Sequence, residues 1–261
     1  YVPQIVEPTC TELGYTAYVC AHCGDRTTGD YVRELGHDWN AGTVVQAPRL
    51  TKEGLLEQTC RRCGAEQKTV LPVLESCAGT ICPSHDYHDA PEFGHWSHAG
   101  IDYTLELGLF RGTSDTEFSP NVAMTRAMLV TVLYRMAGSP DVEGKVSEKF
   151  KDCKDGAYYE KAVAWAVENK VTTGTSATTF SPDATVTRGQ SVTFLWKANN
   201  SPAAASASAF TDVAASAYYA SAVNWAVENN VTNGTSTATF SPNADCTRAQ
   251  IVTFLYRAMA K

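Results

Sequence analysis

The chain has 261 residues, an apolar fraction of 44% and a formal net charge of -7. A chain of this length can form two or more compact domains, and its acidic balance argues against a general nucleic-acid binder or a polybasic membrane-surface protein, since both need a basic face. No apolar run approaches the roughly 20 residues of a membrane-spanning helix, and YVPQIVEPTC lacks the charged and apolar regions of a signal peptide. We therefore expect a folded piece of a longer protein.

Cysteine is concentrated in the first third of the chain. Seven of the nine cysteines precede residue 83, and this part carries a short repeat with an offset of 40 residues. Its segments YTAYVCAHCG and LLEQTCRRCG predict short strands that run into a Cys-x-x-Cys-Gly turn. Such small units bury little apolar surface and need a staple. We divide this part into a first cysteine module, residues 1–43, and a degenerate second module, residues 44–82.

The first module has thiol and imidazole side chains at the spacing of a zinc site. Its ligand candidates are Cys10, Cys20, Cys23 and His37. A Cys-x-x-Cys turn presents two thiolates to one tetrahedral ion, and three cysteines with one histidine complete a structural zinc set. We favour zinc as a structural ion. Disulfides are the alternative, and an extracellular setting favours them.

The second module departs from this pattern at two positions. Leu50 replaces the first cysteine, and Cys77 stands at the position of the histidine. Three metal-ligand candidates therefore remain: Cys60, Cys63 and Cys77. The fourth ligand would be Cys82 or a nearby histidine, and a Cys77–Cys82 disulfide is an equal alternative.

All six histidines lie before residue 99. Four of them follow the second module: His85, His88, His95 and His98. They could form a metal cluster. In a loop that opens onto a helix, however, we expect them to be solvated polar residues.

A longer repeat fills the rest of the chain. An offset of 62 residues maps Phe118 onto Phe180, and an offset of 60 maps Phe180 onto Phe240. Three copies follow from this, joined by SPDVEGK and NNSPAAASASA, which carry the small and helix-breaking residues of linkers. We assign copy 1 to residues 83–142, copy 2 to residues 143–203 and copy 3 to residues 204–261.

Each copy predicts a helix, a loop and a second helix. In YYEKAVAWAVENKV the apolar stripe of an amphipathic helix falls on Tyr159, Val163, Ala166 and Val167. The glycine and proline of VTTGTSATTFSPDATV then break the helical period. A threonine followed three residues later by glutamine predicts a capping box at the start of the second helix.

The capping pattern is complete in two copies. Thr187 and Thr247 each have a glutamine three residues later, whereas Thr125 has Met128. We therefore expect copy 1 to keep the threonine cap and to lack the return bond of a capping box.

An arginine follows the capping threonine in every copy: Arg126, Arg188 and Arg248. As the first residue of a helix it adds positive charge beside unpaired N–H groups, at a cost of about 0.3–1 kcal/mol when exposed. Its repetition predicts a negative partner, since a helix N-terminus with a guanidinium is a ready carboxylate or phosphate site. The alternative is an ion pair within the chain, for instance with Asp152 or Asp212.

Several phrases of copy 2 resemble the S-layer homology domain: FKDC, AYYEKAVAWAVENKVTTGT, TTFSPDATVTRGQ and VTFLW. The resemblance recurs in the other copies and covers about residues 85–261. It implies a mainly α fold, in which three tandem helix-loop-helix repeats form a pseudo-threefold assembly. It also implies non-covalent binding of secondary cell-wall polysaccharide, often bearing ketal-linked pyruvate, at the surface of a Gram-positive bacterium. The cysteine modules resemble repeats that accompany such triplets in surface proteins of Firmicutes.

The resemblance implies roles for residues that recur in all three copies. The arginines would meet the pyruvyl carboxylate. The aspartates that would accept sugar hydroxyls or hold the arginine are Asp89, Asp152 and Asp212. The aromatic residues that would offer a flat face to a sugar, or pack the three helices together, are Tyr103, Trp165 and Trp225. The glycines that would let backbone approach the ligand, or permit a positive φ, are Gly112, Gly174 and Gly234.

These features predict a non-catalytic anchor in the extracellular space, bound to the cell wall. No catalytic motif of the G-x-S-x-G, HExxH or P-loop kind occurs, so we expect no enzymatic activity, and beyond structural zinc no cofactor. We expect a cargo domain upstream in the same polypeptide, a natural C-terminus at the end of the last helix, and neither nucleic-acid binding nor membrane insertion. The alternative is a protein–protein or self-assembly module of a surface lattice.

Overall fold

The computed structural model describes residues 1–74, 81–143 and 145–260. The chain separates into two compact units, residues 1–75 and residues 76–261. We call them the cysteine unit and the helical unit. Cys77, a predicted metal ligand, lies outside the described residues.

The cysteine unit consists of two three-stranded antiparallel sheets, as the short strand patterns predict. The first sheet has the order β1-β2-β3, with β1 (Val2–Val6), β2 (Gly14–Val19) and β3 (Arg26–Val32). The second repeats it with β4 (Thr43–Gln46), β5 (Gly54–Thr59) and β6 (Glu66–Leu71). In each sheet the turn between the second and third strands is the Cys-x-x-Cys-Gly segment.

Very little of the cysteine unit is buried. Among its described residues, the buried hydrophobic side chains are those of Cys10 and Cys60, which are 7% and 2% exposed. The strands leave most of their side chains partly or fully exposed. Because apolar burial is the main source of folding free energy, a unit with two thiols for a core needs another link to hold it together.

The helical unit contains seven helices in its described residues, which confirms the predicted mainly α class. They are α1 (His98–Glu106), α2 (Arg126–Met136), α3 (Val146–Lys149), α4 (Glu160–Glu168), α5 (Arg188–Ala198), α6 (Ala220–Glu228) and α7 (Arg248–Met259). The predicted apolar stripe lies on α4, where Val163 and Ala166 are fully buried. Among the described residues, no helix has the length and apolar character that a membrane span requires.

The second helix of each copy packs against the first helix of the next copy. In copy order these pairs are α2 with α4, α5 with α6, and α7 with α1. The last pair joins copy 3 to copy 1, so the three copies close into a ring. The buried residues of all three copies form one continuous core.

Backbone hydrogen bonds follow the same cyclic order. The first N–H group of each second helix donates to a loop carbonyl of the next copy, and the three bonds are Arg126 N to Ala184 O (3.0 Å), Arg188 N to Ala244 O (2.9 Å) and Arg248 N to Val122 O (2.9 Å). The next N–H group does the same, as in the bond from Ala127 N to Pro182 O. Donors that a helix start leaves unpaired are therefore paired between copies.

Threonine caps all three second helices. Each cap accepts from the backbone N–H three residues later, and at Thr247 the Gln250 side chain completes the capping box. At Thr187 the predicted return bond is not made, because Gln190 Oε1 accepts from Arg126 Nη1 of copy 1 at 3.2 Å. The prediction for copy 1 is confirmed, since Met128 leaves the Thr125 cap without a return bond.

The repeated glycine closes the loop between the two helices. Gly234 has φ +84°, a value that L side chains rarely adopt, and a Cβ there would lie 2.5 Å from Thr239 O and 2.6 Å from Phe210 Cε1. Gly112 has no positive φ, but a Cβ there would lie 2.3 Å from Tyr87 Cε1. Turn geometry and close packing together therefore require glycine at this position.

We predict that Gly234→Ala lowers the free energy of unfolding by more than about 2 kcal/mol, because strain at positive φ adds to overlap with a backbone carbonyl. Gly156→Ala is the matched control, since Gly156 has φ +75° and no atom within 4 Å of its Cβ position. It should cost only the strain of about 1–2 kcal/mol. Urea denaturation measures both, and equal losses would show that close packing contributes nothing.

Candidate metal centre and candidate ligand grooves

The cysteine unit brings four metal-ligand side chains together at the junction of its two modules. They are Cys10 and His37 of the first module and Cys60 and Cys63 of the second, with all ligand atoms within 4.8 Å of one another. The predicted grouping of Cys10 with Cys20 and Cys23 is therefore wrong. Cys20 and Cys23 lie on the turn of the first sheet and do not join this cluster.

The distances within the cluster fit one tetrahedral ion. Cys10 Sγ and Cys60 Sγ are 3.8 Å apart, and Cys63 Sγ lies 3.4 Å from His37 Nδ1. A tetrahedral zinc ion separates two thiolate ligands by about 3.8 Å and a thiolate from an imidazole nitrogen by about 3.5 Å. A disulfide would need sulfur atoms about 2.05 Å apart, so Cys10 and Cys60 are not bonded.

Backbone contacts fix this junction. Arg61 N donates to Asp38 O at 2.8 Å, and Arg62 Nη1 donates to Leu35 O at 2.8 Å. The segment after β3 of the first module is thereby held against the Cys-x-x-Cys turn of the second. Two modules are needed to assemble one set of ligands.

The thiols of the cluster have opposite pKa shifts. Burial and hydrogen bonds with the neighbouring thiols raise the pKa of Cys10 to about 11. Burial would also raise that of Cys60, but the backbone N–H groups around it and His37 outweigh burial and lower the pKa to about 5. One thiolate is therefore stabilised by the fold at neutral pH, which favours a cation beside it.

In the helical unit, each repeated arginine extends into the next copy. Its Nε atom donates to a phenylalanine carbonyl, and the three bonds are Arg126 to Phe180 (2.8 Å), Arg188 to Phe240 (2.9 Å) and Arg248 to Phe118 (2.8 Å). The guanidinium groups thus follow the same cyclic order as the helices. Copy 1 reaches copy 2, copy 2 reaches copy 3, and copy 3 reaches copy 1.

Aromatic rings hold each guanidinium on two sides. Arg126 Cζ lies 4.8 Å from the ring centre of Phe180 and 5.1 Å from that of Phe194. Arg188 lies by the equivalent rings of Phe240 and Phe254, and Arg248 lies by Phe118 and by Phe110, which has a different repeat position. Cation–π contacts of this kind stabilise a desolvated cation by up to about 2 kcal/mol. They also fix the plane of the guanidinium.

The arginines do not form the ion pairs considered as the alternative to an external anion. Among the described residues, no carboxylate oxygen lies within 4.0 Å of their nitrogen atoms. Burial lowers the pKa of all three guanidinium groups, although arginine stays protonated in proteins. In Arg126 and Arg188 the Nη2 atom is buried and has no hydrogen-bond partner in the described part of the chain.

The repeated aspartates bind the loop of their own copy. Asp152 accepts from Phe180 N at 2.9 Å and from Ser181 N at 2.7 Å, and Asp89 and Asp212 accept from the equivalent pairs. Burial raises the pKa of Asp212, but these N–H groups outweigh it, and the pKa is lowered overall. The aspartate therefore holds the amide, and the arginine the carbonyl, of the same phenylalanine.

The helix starts themselves are not open to an anion. Their first two N–H groups donate to the next copy and the third to the threonine cap. The prediction that free N–H groups would add to the arginine site is therefore wrong, because the copy junction uses these donors. The arginine side chain alone remains as the candidate anion ligand.

Residues from all three copies line a groove beside Arg188. Its volume is about 410 Å³. Copy 2 contributes Arg188, copy 3 contributes Gly234, Phe254 and Arg257, and copy 1 contributes Trp96. Two cations and an aromatic ring thus face one cavity.

The other two arginines have equivalent surroundings. A smaller groove of about 160 Å³ is lined by Arg248 of copy 3, Arg135 of copy 1 and Tyr158 of copy 2. Beside Arg126 lies Tyr218 of copy 3, whose pKa is raised by burial, a shift that the charge of Arg126 opposes. Each arginine therefore meets the next copy on one side and an aromatic residue of the third copy on the other.

A sequence model of the S-layer homology domain matches the chain three times, at residues 86–127, 149–190 and 209–252. Each match lies within one of the three copies. The chain belongs to the S-layer homology domain family. Domains of this family bind cell-wall polymers and are not catalytic.

Several curated proteins are similar to parts of the chain. The sequence is 28% identical to the surface-layer 125 kDa protein of Lysinibacillus sphaericus over 191 residues, 72% of this chain and 16% of that protein. It is 30% identical to the cellulosome-anchoring protein of Acetivibrio thermocellus over 123 residues, 46% of this chain and 27% of that protein. It is 30% identical to an endoglucanase of Bacillus sp. (strain KSM-635) over 132 residues, 50% of this chain and 14% of that enzyme.

The aromatic residues predicted as sugar platforms lie mainly in the S-layer homology core. Trp165 and Trp225 are each 6% exposed and belong to the core. Tyr103 is partly buried, and its ring centre lies 5.3 Å from that of Tyr256 on α7. Their positions correspond to the helix-packing role that the sequence left open.

Two further sets of groove residues escaped the sequence analysis. The exposed aromatic residues are Trp96, Tyr158 and Tyr218, which are 53%, 64% and 64% exposed. The second basic residues stand nine positions after each arginine: Arg135 and Arg257 line grooves, and Lys197 has the corresponding position in copy 2. Both sets recur at the repeat offsets of 62 and 60 residues, so an alignment of the three copies could have identified them.

Proposed function

We propose that the S-layer homology triplet anchors its polypeptide to a bacterial cell wall by binding an acidic polysaccharide in the arginine grooves. The observation that carries this proposal is the buried guanidinium of Arg188, which has no carboxylate partner among the described residues and lines a groove that holds a second basic residue, Arg257. A buried donor without a partner costs about 1–3 kcal/mol, which an acceptor on the ligand can recover.

A pyruvyl ketal on a sugar ring has the chemistry that such a groove recognises. Its carboxylate supplies an anion for the guanidinium, and Arg257 adds a second positive charge to the Arg188 groove. The ketal methyl group and the sugar ring supply apolar faces for Phe254 and Trp96. Ordinary neutral sugars lack the charged part of this match.

The relatives support a place at the cell surface. Their names describe a surface-layer protein and an anchoring protein. Because the chain spans only 14% to 27% of those three relatives, we propose that the rest of its own polypeptide is a cargo that the triplet anchors. The endoglucanase match fits this arrangement, since the matched part covers only 14% of that enzyme.

We predict that Arg188→Gln weakens binding to a pyruvylated cell-wall oligosaccharide about tenfold or more, because a charge-assisted contact is worth about 1.5–3 kcal/mol. Calorimetry measures the dissociation constants of both proteins for this oligosaccharide and for the same oligosaccharide without pyruvate, which completes a double-mutant-type cycle. The wild type should lose affinity on removal of pyruvate, and Arg188→Gln should lose much less. Arg33→Gln, which removes the same charge from an exposed position of the cysteine unit, should behave as the wild type.

The outcome that contradicts the arginine–carboxylate contact is an equal effect of pyruvate removal on the wild type and on Arg188→Gln. Unfolding curves recorded in parallel separate lost recognition from lost stability, since Arg188 also binds Phe240 O. Concentration-dependent self-association without any saccharide binding would support the lattice-module alternative instead.

We predict that Tyr218→Ala and Trp96→Ala each weaken saccharide binding by at least about fivefold, because an aromatic side chain at the centre of an interface contributes more than about 1 kcal/mol. Both side chains are more than half exposed, so the free energy of unfolding should change little. Tyr31→Ala removes an equally exposed aromatic residue from the cysteine unit and serves as the control. Unchanged binding in both variants would remove the aromatic contact from the proposal.

We propose that the cluster at the module junction holds a structural zinc ion. The four ligand atoms, their spacing and the lowered pKa of Cys60 all support it. Zinc supplies the link that two buried thiols cannot supply alone. The ion has no catalytic part in this proposal, since four protein ligands leave no open position.

We predict that Cys60→Ser removes one equivalent of zinc from the purified chain and unfolds the cysteine unit, because metal binding and folding are coupled in small metal-stapled domains. Cys23→Ser, at the corresponding turn of the first sheet, should keep that equivalent. Elemental analysis after exhaustive dialysis measures both. Loss of zinc from Cys23→Ser alone would restore the grouping with Cys20 and Cys23.

A further inference from the structure

Copy 1 contains a second cluster of metal-ligand side chains, inside the helical unit. It consists of Cys82, which precedes α1, and of His98 and Asp102 on α1. All three are buried, and their ligand atoms lie within 4.8 Å of one another. The expectation that His98 is a solvated loop residue is wrong, since it is 7% exposed.

The orientation of the His98 ring calls for a proton or a metal ion on its inner side. Nδ1 lies 2.8 Å from Pro91 O, and since a carbonyl only accepts, Nδ1 carries the proton of the neutral ring. Nε2 then presents its lone pair to Asp102 Oδ2 at 2.9 Å and lies 3.6 Å from Cys82 Sγ. A lone pair and a carboxylate repel each other unless a proton or a metal ion lies between them.

The other copies show that the fold itself does not require a charge at this place. Asp102 Oδ1 accepts from Ser84 N at 2.8 Å, and in copy 3 the equivalent Asn224 Oδ1 accepts from Ser208 N at 2.8 Å. A neutral amide therefore holds the entering segment equally well. Copy 2 has Ala164 at this position. The carboxylate and the histidine are additions of copy 1.

We propose that Cys82 Sγ, His98 Nε2 and Asp102 Oδ2 bind a zinc ion. The sulfur–nitrogen distance of 3.6 Å matches the separation of about 3.5 Å between thiolate and imidazole ligands of tetrahedral zinc. The nitrogen–oxygen distance of 2.9 Å is a few tenths shorter than such an ion requires, so this pair opens slightly on binding. The bond from Nδ1 to Pro91 O is the kind of outer contact that orients a metal-bound histidine.

Two other assignments of the cluster fail on geometry and ligand type. A catalytic Cys-His-Asp triad places thiol and carboxylate on opposite ring nitrogens, whereas here both face Nε2 and Nδ1 bonds to a backbone carbonyl. Calcium and magnesium take oxygen ligands, while thiolate with imidazole is a zinc-type set. This inference is independent of the saccharide proposal.

The ion would fix the part of copy 1 that enters the Arg188 groove. It links Cys82 to the first two turns of α1, a helix whose N-cap Ser97 makes no side-chain cap bond. Trp96 directly precedes that cap and lines the groove. Zinc would therefore fix the start of α1 next to one groove aromatic.

The test uses the full chain without the thiols of the cysteine unit, so that metal bound there does not contribute. The substitutions are Cys10→Ser, Cys20→Ser, Cys23→Ser, Cys60→Ser and Cys63→Ser. Titration with Co²⁺, followed by displacement with Zn²⁺, should show one equivalent bound with a thiolate-to-cobalt absorption band. Absence of a thiolate-ligated ion would overturn the proposal and leave a buried His98–Asp102 ion pair.

Added substitutions identify the ligands. Asp102→Asn copies the side chain of copy 3 and keeps an acceptor for Ser84 N, so the fold should persist while metal affinity falls at least about tenfold. Cys153→Ser alters a buried thiol outside both clusters and should leave the affinity unchanged. Equal affinity in Asp102→Asn and its parent would refute this ligand set. Far-ultraviolet circular dichroism confirms that each variant retains its helices.

Discussion

The helical unit depends on one contact that is made three times, between the start of each second helix and the loop of the next copy. The arginine backbone N–H and its Nε both donate to carbonyls of that loop. These carbonyls offset the partial positive charge of the helix start and the positive charge of the guanidinium. The phenylalanine whose carbonyl accepts from the arginine also donates its backbone N–H to the repeated aspartate. The residues that join two copies therefore also hold the arginine beside its groove.

Local patterns were enough to predict the two main helices of each copy and their threonine caps, because both follow from spacing within one copy, but the predicted capping box at Thr187 is not formed. Spacing could not predict which copy each arginine reaches, since a partner in the same copy and one in the next have equivalent repeat positions. For the same reason the repeat pattern does not tell which of Trp165 and Tyr158 is buried. Both recur, but only the packing of α2 against α4 decides that one is core and the other is exposed.

The metal ligands show the limit of repeat analysis most clearly. Each module was taken as self-contained. The cluster that could hold a metal ion instead takes side chains from both modules, which are short and bury little surface. His98 was expected to be solvated for a related reason, because its burial depends on contacts around α1 that no local sequence pattern shows.

Closure of the ring has a mechanical consequence for an anchor. The contact between α1 and α7 joins two copies that are not neighbours in sequence, so it brings the beginning and the end of the triplet together. If the grooves hold a cell-wall polymer as proposed, tension applied ahead of α1 would act on this joint. Resistance to pulling would then depend on how firmly copy 1 packs against α7 as well as on how tightly the grooves bind the polymer.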